Sequence, residues 1–550
     1  GVTVMGGTVQ AHIYGAKAAG SADRNWARLD TAVTGDITGA LSTGGSASGN
    51  SVEVNANVTG SIVGGNAAGS ASNNKIELKE VTVSGNVTGG LGTSTDNNLI
   101  SLKGTKVLGD VVGGANGTGN TLAVHPGQSE IHDFSGIQNL QFYLADGVTS
   151  ATPTMLKLGV NTKNIQGINI GVGVSGRAPS LRVTDTISLM KLTPGGTLTT
   201  DATIPNHIEG MQGVSLLYGF DITRRGTDEL VATVTKAAIS DQTKSFVETR
   251  GAASDFINRG ADLLAASGMA SARKAAAGGG AENTGYGDYN IWAALSRNDM
   301  KVETGSYVDT KGWNLSLGWA REKALKDSRI VVSPFVEYGK GSYDSYLDDG
   351  THGSGSLSYI GAGVLARMDK NDGLWVEGVL HGGRAKSDYE GSIQPGMDTS
   401  YDSSNNYIAA ELGVGKKMKL KEGRTLDVYM RYFWSHQAGT QAELTSGENY
   451  DFGTVDSHRL RTGLRYAHRM GEASELYAGL AYEYEFSGKA TASYDGYAAP
   501  SPSLKGGSTL IELGWRFAPK DSRVSYDVNL AGWQGTRRGF SGNAQVNWAF

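Results

Sequence analysis

Apolar and polar positions alternate with a period of two through much of this chain, as they do when side chains point to opposite faces of a strand. In residues 540–550 (FSGNAQVNWAF), Phe540, Gly542, Ala544, Val546, Trp548 and Phe550 share one face, and Ser541, Asn543, Gln545, Asn547 and Ala549 share the other. Earlier stretches repeat the pattern. Trp313, Leu315, Leu317 and Trp319 oppose Asn314, Ser316 and Gly318; Ile360, Ala362, Val364 and Ala366 oppose Gly361, Gly363 and Arg367. Leu460, Thr462, Leu464 and Tyr466 oppose Arg459, Arg461 and Arg465, while Ile511, Leu513, Trp515 and Phe517 oppose Glu512 and Arg516. About twelve such strands are predicted from Tyr289 onward. Their charges fall on one face only, Trp and Tyr collect at strand ends, and roughly 9–11 residues suffice for a tilted strand to cross a bilayer. Residues 284–550 are therefore expected to form a 12-stranded antiparallel transmembrane β-barrel with a polar lumen. Short connections (369–373, 470–474, 519–523) alternate with long polar ones (339–357, 387–404, 436–457, 487–507), and an even strand count places both barrel ends on the side of the short turns.

The first 150 residues carry a different pattern. AHIYGA (11–16), GDITGA (35–40), GSIVGG (60–65), GNVTGG (85–90) and GDVVGG (109–114) recur at offsets of 24, 25, 25 and 24. An Asn followed by alternating apolar residues keeps pace at Asn50, Asn74, Asn98 and Asn120. A fixed period in the twenties predicts a stacked architecture, here a parallel β-helix with two short strands per repeat and glycines at its corners. Ile37, Ile62, Val87 and Val111 are expected to stack inside it, as are Val52, Ile76, Ile100 and Leu122. The same composition could be disordered, but the held register of both motifs argues against that. The period fades over 151–235, read as a less regular β segment that caps the solenoid. Because the first repeat starts without a polar cap and without an initiator Met, the chain is expected to be a processed or truncated product of a longer solenoid.

Between the two textures, residues 236–283 read as a linker. Ser240 is a candidate N-cap, and Phe246, Phe256, Ile257, Leu263 and Leu264 recur at helical spacing up to about Arg273, ahead of a small-residue turn at 275–280. Some twenty helical residues span a membrane's ~30 Å core. This helix carries Arg250, Asn258, Arg259 and Asp262, too polar for lipid but suited to the inside of a polar barrel. Arg459, Arg461, Arg465, Glu483, Glu485, Glu512 and Arg516 are expected to face it from the wall.

Composition narrows the chemistry. There is no Cys, which removes disulfides, zinc–thiolate sites and thiol catalysis, and a net charge of −5 without a basic run argues against a nucleic-acid partner. No apolar run reaches ~18 residues, so no transmembrane helix is predicted, and a mean hydropathy of −0.27 is compatible with a barrel. Gly171 to Gly176 matches G-x-G-x-x-G but leads into Arg177-Ala-Pro179 rather than a helix, so a nucleotide site is not favoured. His125, His132 and Asp133 with Ser129 and Ser135 read as solvated loop residues. No catalytic, metal or cofactor site is expected, and the chain is not read as an enzyme.

The order of repetitive β segment, lumenal helix, twelve-stranded barrel and terminal aromatic residue resembles the autotransporter family of type V secretion. The likeness is sharpest in QTKSFVETR (242–250) and RGADLL (259–264), which look like that family's linker helix. The resemblance implies an outer-membrane protein of a Gram-negative-type bacterium, escorted by periplasmic chaperones. The barrel-assembly machinery would insert it by reading the terminal strand at Val546, Trp548 and Phe550. It also implies a surface-exposed passenger, with residues ~150–235 in the place of an autochaperone segment. Some relatives cut an Asn–Asn bond in the linker helix; here Asn258 precedes Arg259, so a tethered passenger is favoured. The leading expectation is an adhesin-like protein with an unknown surface ligand. The alternatives are an enzymatic or released passenger whose active part lies upstream of residue 1, and a simple porin or soluble β-repeat protein.

Overall fold

The computed structural model describes the whole chain except residues 146, 175–180, 203, 205–207, 279–287, 394–395, 520–521 and 549–550. The chain divides into two units, Gly1–Ala238 and Ile239–Phe550.

The first unit is a parallel β-solenoid. Identical positions stack one rung apart: Ile13, Ile37, Ile62, Val87, Val111 and Phe134 form one interior column. Val52, Ile76, Ile100, Leu122, Leu140 and Ile170 form a second. A third column, Val33, Val58, Val83, Val107, Ile131 and Leu158, runs through a sheet the sequence reading did not assign. Each turn therefore has three strands, not two. The missed strands are two residues long (Val33–Thr34, Val58–Thr59, Thr82–Val83, Lys106–Val107), too short to display a period.

The repeated Asn fills a polar niche inside this core. Asn50, Asn74, Asn98 and Asn120 are fully buried. Each accepts, through Oδ1, the backbone N–H of its counterpart one rung earlier: Asn50 from Asn25 at 2.8 Å, Asn74 from Asn50 at 2.9 Å, Asn98 from Asn74 at 2.9 Å and Asn120 from Asn98 at 2.8 Å. Gln138 Oε1 ends the ladder on Asn120 N–H at 2.9 Å. The residue before each ladder Asn turns the corner at positive φ, at Arg24 (58°), Asn73 (58°) and Asn97 (55°), with Gly49 and Gly119 at the other two rungs. Asn and Gly adopt that region at the least cost, which is why the motif holds its register.

The last parallel rungs are Thr186–Lys191 on Leu156–Leu158 and Thr197–Thr199 on Thr162–Asn164, and antiparallel pairing takes over beyond them. Strand Thr186–Lys191 pairs antiparallel with Glu229–Ile239, and Ile208–Gln212 pairs antiparallel with Leu216–Arg225. Glu229 is buried at this junction, held by Arg225 at 2.7 Å and by the Ser188 hydroxyl. Burial pushes its carboxyl up, but those hydrogen bonds and the Arg225 charge outweigh it and hold Glu229 below the usual glutamate range.

The second unit is a closed antiparallel barrel of twelve strands. They are β1 (Asn290–Glu303), β2 (Tyr307–Ala324), β3 (Ser328–Tyr346), β4 (His352–Lys370), β5 (Leu374–Ser392) and β6 (Asp398–Lys419). The second half is β7 (Arg424–Gln437), β8 (Val455–Met470), β9 (Ser474–Glu485), β10 (Gly506–Phe517), β11 (Val524–Gly535) and β12 (Arg537–Trp548). β12 closes on β1, with Trp548 opposite Ile291 and Val546 opposite Ala293. Outward residues such as Ile360, Leu412, Leu513 and Leu530 stay exposed, whereas their inward neighbours are covered. The expected long loops at 339–357 and 387–404 are corrected: there the strands simply run on, leaving only 347–351 and 393–397 between them. Within 436–457 and 487–507 a separate four-stranded sheet forms from Thr440–Glu443, Asn449–Phe452, Ala492–Tyr494 and Tyr497–Ala498. One face of this sheet (Ala442, Tyr450, Phe452, Ala492 and Tyr494) is buried, but strands of two to four residues are too short to display a period.

The linker forms a 3-10 turn (Asp241–Thr243), helix α1 (Lys244–Leu263), a π-helical turn (Leu264–Gly268) and helix α2 (Met269–Ala277). Ser240 does not cap through its side chain, and its carbonyl instead accepts the Thr243 hydroxyl at 2.6 Å. The small-residue turn expected from 275 is still helix through Ala277, as alanine's high helix propensity favours.

Replacing Asn98 by Ala is expected to destabilise the solenoid by about 1–3 kcal/mol, because the buried Asn74 N–H loses its acceptor. Asn25→Ala, at the exposed end rung, should cost under about 1 kcal/mol. Hydrogen exchange of the Asn74 amide in the whole chain reads the difference; unchanged protection in N98A refutes the ladder's role. For Glu229, a depressed folded pKa means stabilisation that is full above the unfolded value (~4.3) and lost as pH falls through the lower folded value. Protease resistance of residues 186–239 should therefore fall on acidification in the wild type and already be low at neutral pH in E229Q.

Candidate functional site: the helix inside the barrel

α1 is buried on every side although it is not apolar. All its residues except Lys244 and Asp262 are inaccessible, including Glu248, Arg250, Asp255 and Arg259. An ordinary surface helix hides one stripe; this one is enclosed, so the wall has to match it residue by residue.

At the end nearest the long connections the match is aromatic and hydroxylic. Phe246 meets Tyr389 and Tyr450 edge-on at centroid distances of 5.1 and 5.4 Å, and its carbonyl accepts the Tyr401 hydroxyl at 2.6 Å. Glu248 accepts hydrogen bonds from Thr304 (2.8 Å) and Ser306 (2.7 Å) in the turn after β1. Among the described residues no carboxylate lies against Arg250. Its Nη2 donates to the Ala438 carbonyl at 2.5 Å and the Gly453 carbonyl at 3.2 Å, the two ends of the hairpin Thr440–Phe452. Phe256 packs edge-on against Tyr359 at 5.8 Å, beside Gly312 and Gly341, where any Cβ would lie within about 3 Å of its ring.

The middle of the helix is electrostatic. Asp262 takes ion pairs from Arg461 (2.5 Å), Arg459 (2.8 Å) and Arg537 (3.0 Å), and the same three guanidiniums converge on Glu483 at 2.7, 3.2 and 2.9 Å. Two carboxylates and three arginines thus bind one helix to strands β8, β9 and β12. Arg259 pairs with Asp255 and with the Thr310 hydroxyl, and Asp255 also meets Arg537 at 3.3 Å. Asn258 donates to Ser457 at 3.1 Å and accepts from Ser435 at 2.9 Å. Leu263 joins Leu264, Met269, Trp292, Phe335 and Leu365 in an apolar cluster below.

The sequence-predicted residues are sorted by this geometry. Phe246, Arg250, Phe256, Asn258, Arg259, Asp262 and Leu263 all lie in the lumen, and Arg459, Arg461 and Glu483 reach the helix. Arg465 and Glu512 face inward but pair with each other across β8 and β10 (2.7 Å); Arg516 pairs with Asp527 (3.0 Å) and Glu475. Arg537 and Asp255 were missed. Arg537 lies upstream of the expected closing strand, which in fact begins there rather than at Phe540. Val546 and Trp548 point outward, exposed at 39% and 51%, and Phe550 lies outside the described residues. Gly171 and Gly173 sit in a parallel strand under the Gln141 and Tyr143 side chains, with 175 and 176 outside the described residues. The histidines are dispersed: His125 stacks on Tyr143, His132 meets Asp110 at 2.7 Å, and Asp133 pairs with Lys163.

Residues 291–531 match the autotransporter β-domain family. The chain is 25% identical over 166 residues to Autotransporter CRAC of Citrobacter rodentium, covering 30% of this chain and 10% of that protein. It is equally 25% identical over 166 residues to the autotransporter adhesin/invasin TibA of Escherichia coli, covering 30% of this chain and 16% of that protein. The crystal structure of the β-domain of the Bordetella autotransporter BrkA is similar at 18% identity and a TM-score of 0.41, covering 48% of this chain and 99% of that one. The chain thus spans a small part of the curated relatives' length.

Removing the helix carboxylate by D262A leaves Arg459, Arg461 and Arg537 to share Glu483. Breaking a buried pair of this kind costs about 3–5 kcal/mol. The barrel's heat-shifted gel band should convert at a lower temperature and its ion conductance in planar bilayers should rise. Unchanged conductance and mobility would show that the network does not hold the helix.

Proposed function

We propose, from the premise that the C-terminal half of this chain is an autotransporter β-domain, that the barrel carries its own N-terminal solenoid to the cell surface and keeps it there. The barrel resides in the outer membrane. Export begins with insertion by the barrel-assembly machinery, with periplasmic chaperones upstream and Val546, Trp548 and Phe550 as the terminal strand it reads. Residues ~150–235 fold in the position of an autochaperone, and solenoid folding outside supplies a driving term where no ATP is available.

One observation carries this reading: the covalent path from the last solenoid strand toward β1 enters a helix, Lys244–Leu263, enclosed by the barrel and pinned by Asp262, Arg250 and Asn258. A helix so held serves as a tether. The bond after Asn258 leads to Arg259, not to a second Asn, which supports retention over self-release. The displayed solenoid offers flat, laddered faces and, among the described residues, no cluster of His, Asp and Glu able to hold a metal. An adhesin-like, non-enzymatic role with an unknown surface ligand fits such a surface, and the similar TibA of Escherichia coli is an adhesin/invasin.

The test is the mass of the species carrying the C-terminus in washed outer membranes, with and without protease added to intact cells. A full-length band, shortened to the helix and barrel only by external protease, is expected. A barrel-sized band before protease, with solenoid in the medium, would replace the tether by a released product.

A further inference from the structure

The end of the barrel bearing the short turns is electrostatically lopsided. On β2 to β7 the outward positions nearest that end carry Arg321 and Lys323 (β2), Lys370 (β4), Lys416 (β6) and Arg424 (β7). They continue the lipid-facing registers of Trp319, Val364, Val414 and Val428, all exposed. Near this end the carboxylates of the same strands take the opposite parity and pair inward. Glu322 meets Arg329 at 3.0 Å, Asp369 meets Arg273 at 2.8 Å, Glu377 meets Arg367 at 2.6 Å, and Asp427 accepts the Trp375 indole N–H at 2.8 Å. Acids near the outward arc occur only in the turns, as Asp327, Asp372 and Glu422, the last paired with Arg424 at 2.9 Å. Around the rest of the rim, on β8 to β12 and β1, the corresponding outward positions hold Tyr466, Leu476, Trp515, Tyr526, Trp548 and Ile291, and no Lys, Arg, Asp or Glu.

We infer that the arc from β2 to β7 is a binding surface for anionic phospholipid headgroups of the leaflet facing the short turns. This rests on the barrel lying in a membrane. The outward parity decides the partner: these side chains rise from the same faces as the apolar band, so their stems lie along acyl chains while their charges reach headgroup depth. A soluble acidic protein would be met more readily by turn residues pointing away from the bilayer. The uncharged aromatic arc opposite anchors without charge selection, so lipid capture is confined to one side.

The test uses the full chain inserted in phosphatidylcholine vesicles, with or without phosphatidylglycerol. The comparison variant carries R321Q, K323Q, K370Q and K416Q; the control carries K301Q, K311Q, K340Q and K386Q at the other end. Native mass spectrometry counts retained lipid, and the heat-shifted gel band reports insertion. Wild type and control should retain phosphatidylglycerol over phosphatidylcholine. The comparison variant should lose that preference by on the order of fivefold per charge removed, and raised salt should weaken it in the wild type. Equal preference in the comparison variant overturns the inference, as does insertion without any preference, or retention of an acidic protein and no anionic lipid. A chain that shows no heat-shifted band in either vesicle refutes the membrane premise itself.

Discussion

A charged helix can be enclosed on all sides only where each buried charge meets a partner, because an uncompensated ion in a low-dielectric interior costs several kcal/mol. That constraint shapes the second unit. Asp262 and Glu483 share Arg459, Arg461 and Arg537, and Asp255 holds Arg259. Where no carboxylate is near, as at Arg250, backbone carbonyls of an external hairpin turn inward to meet the guanidinium. The inner wall is therefore specific to this helix. A porin wall would have been indifferent to the sequence passing through it.

The outer wall answers a different solvent. In hydrocarbon every backbone N–H and C=O has to be satisfied within the protein, and a closed barrel does this without leaving an edge. β12 pairs with β1 along almost its whole length, so the sheet has no free strand. Period-two alternation then divides the strand residues between lipid and lumen. The same parity puts Arg459 and Arg461 on the helix and Leu460 and Leu464 outside.

In the solenoid the corresponding constraint is the corner. Each turn has to bend the chain with a residue at positive φ and still pair the next N–H inside a dry core. The dipeptides Arg24-Asn25, Asn73-Asn74 and Asn97-Asn98 do both, the first residue bending and the second pairing. That coupling explains why the Asn motif and the glycine-rich motif keep the same period.

The alternating strands, their lipid-facing registers, the stacked columns through Ile37 and Ile76, and the lumenal placement of the linker helix were legible in the sequence, because each follows from a local period that a few consecutive residues display. The two-residue third strands were not, since a pair of residues has no period. Nor were the strand extensions past 339 and 387 or the external sheet, whose covered faces hold Tyr and Ser (Tyr343, Ser345, Tyr389, Tyr450, Tyr494) opposite polar open faces, so that the apolar alternation fades. Which charges meet was beyond the sequence altogether. Inward parity made Arg459, Arg465 and Arg516 look alike. Only the height of each on its strand, fixed by the barrel's register, decided that Arg459 meets Asp262 on the helix while Arg465 and Arg516 pair within the wall. Arg537 joined the network for the same reason: β12 starts earlier than its apolar pattern, and pairing with β1 carries it to the level of Asp262.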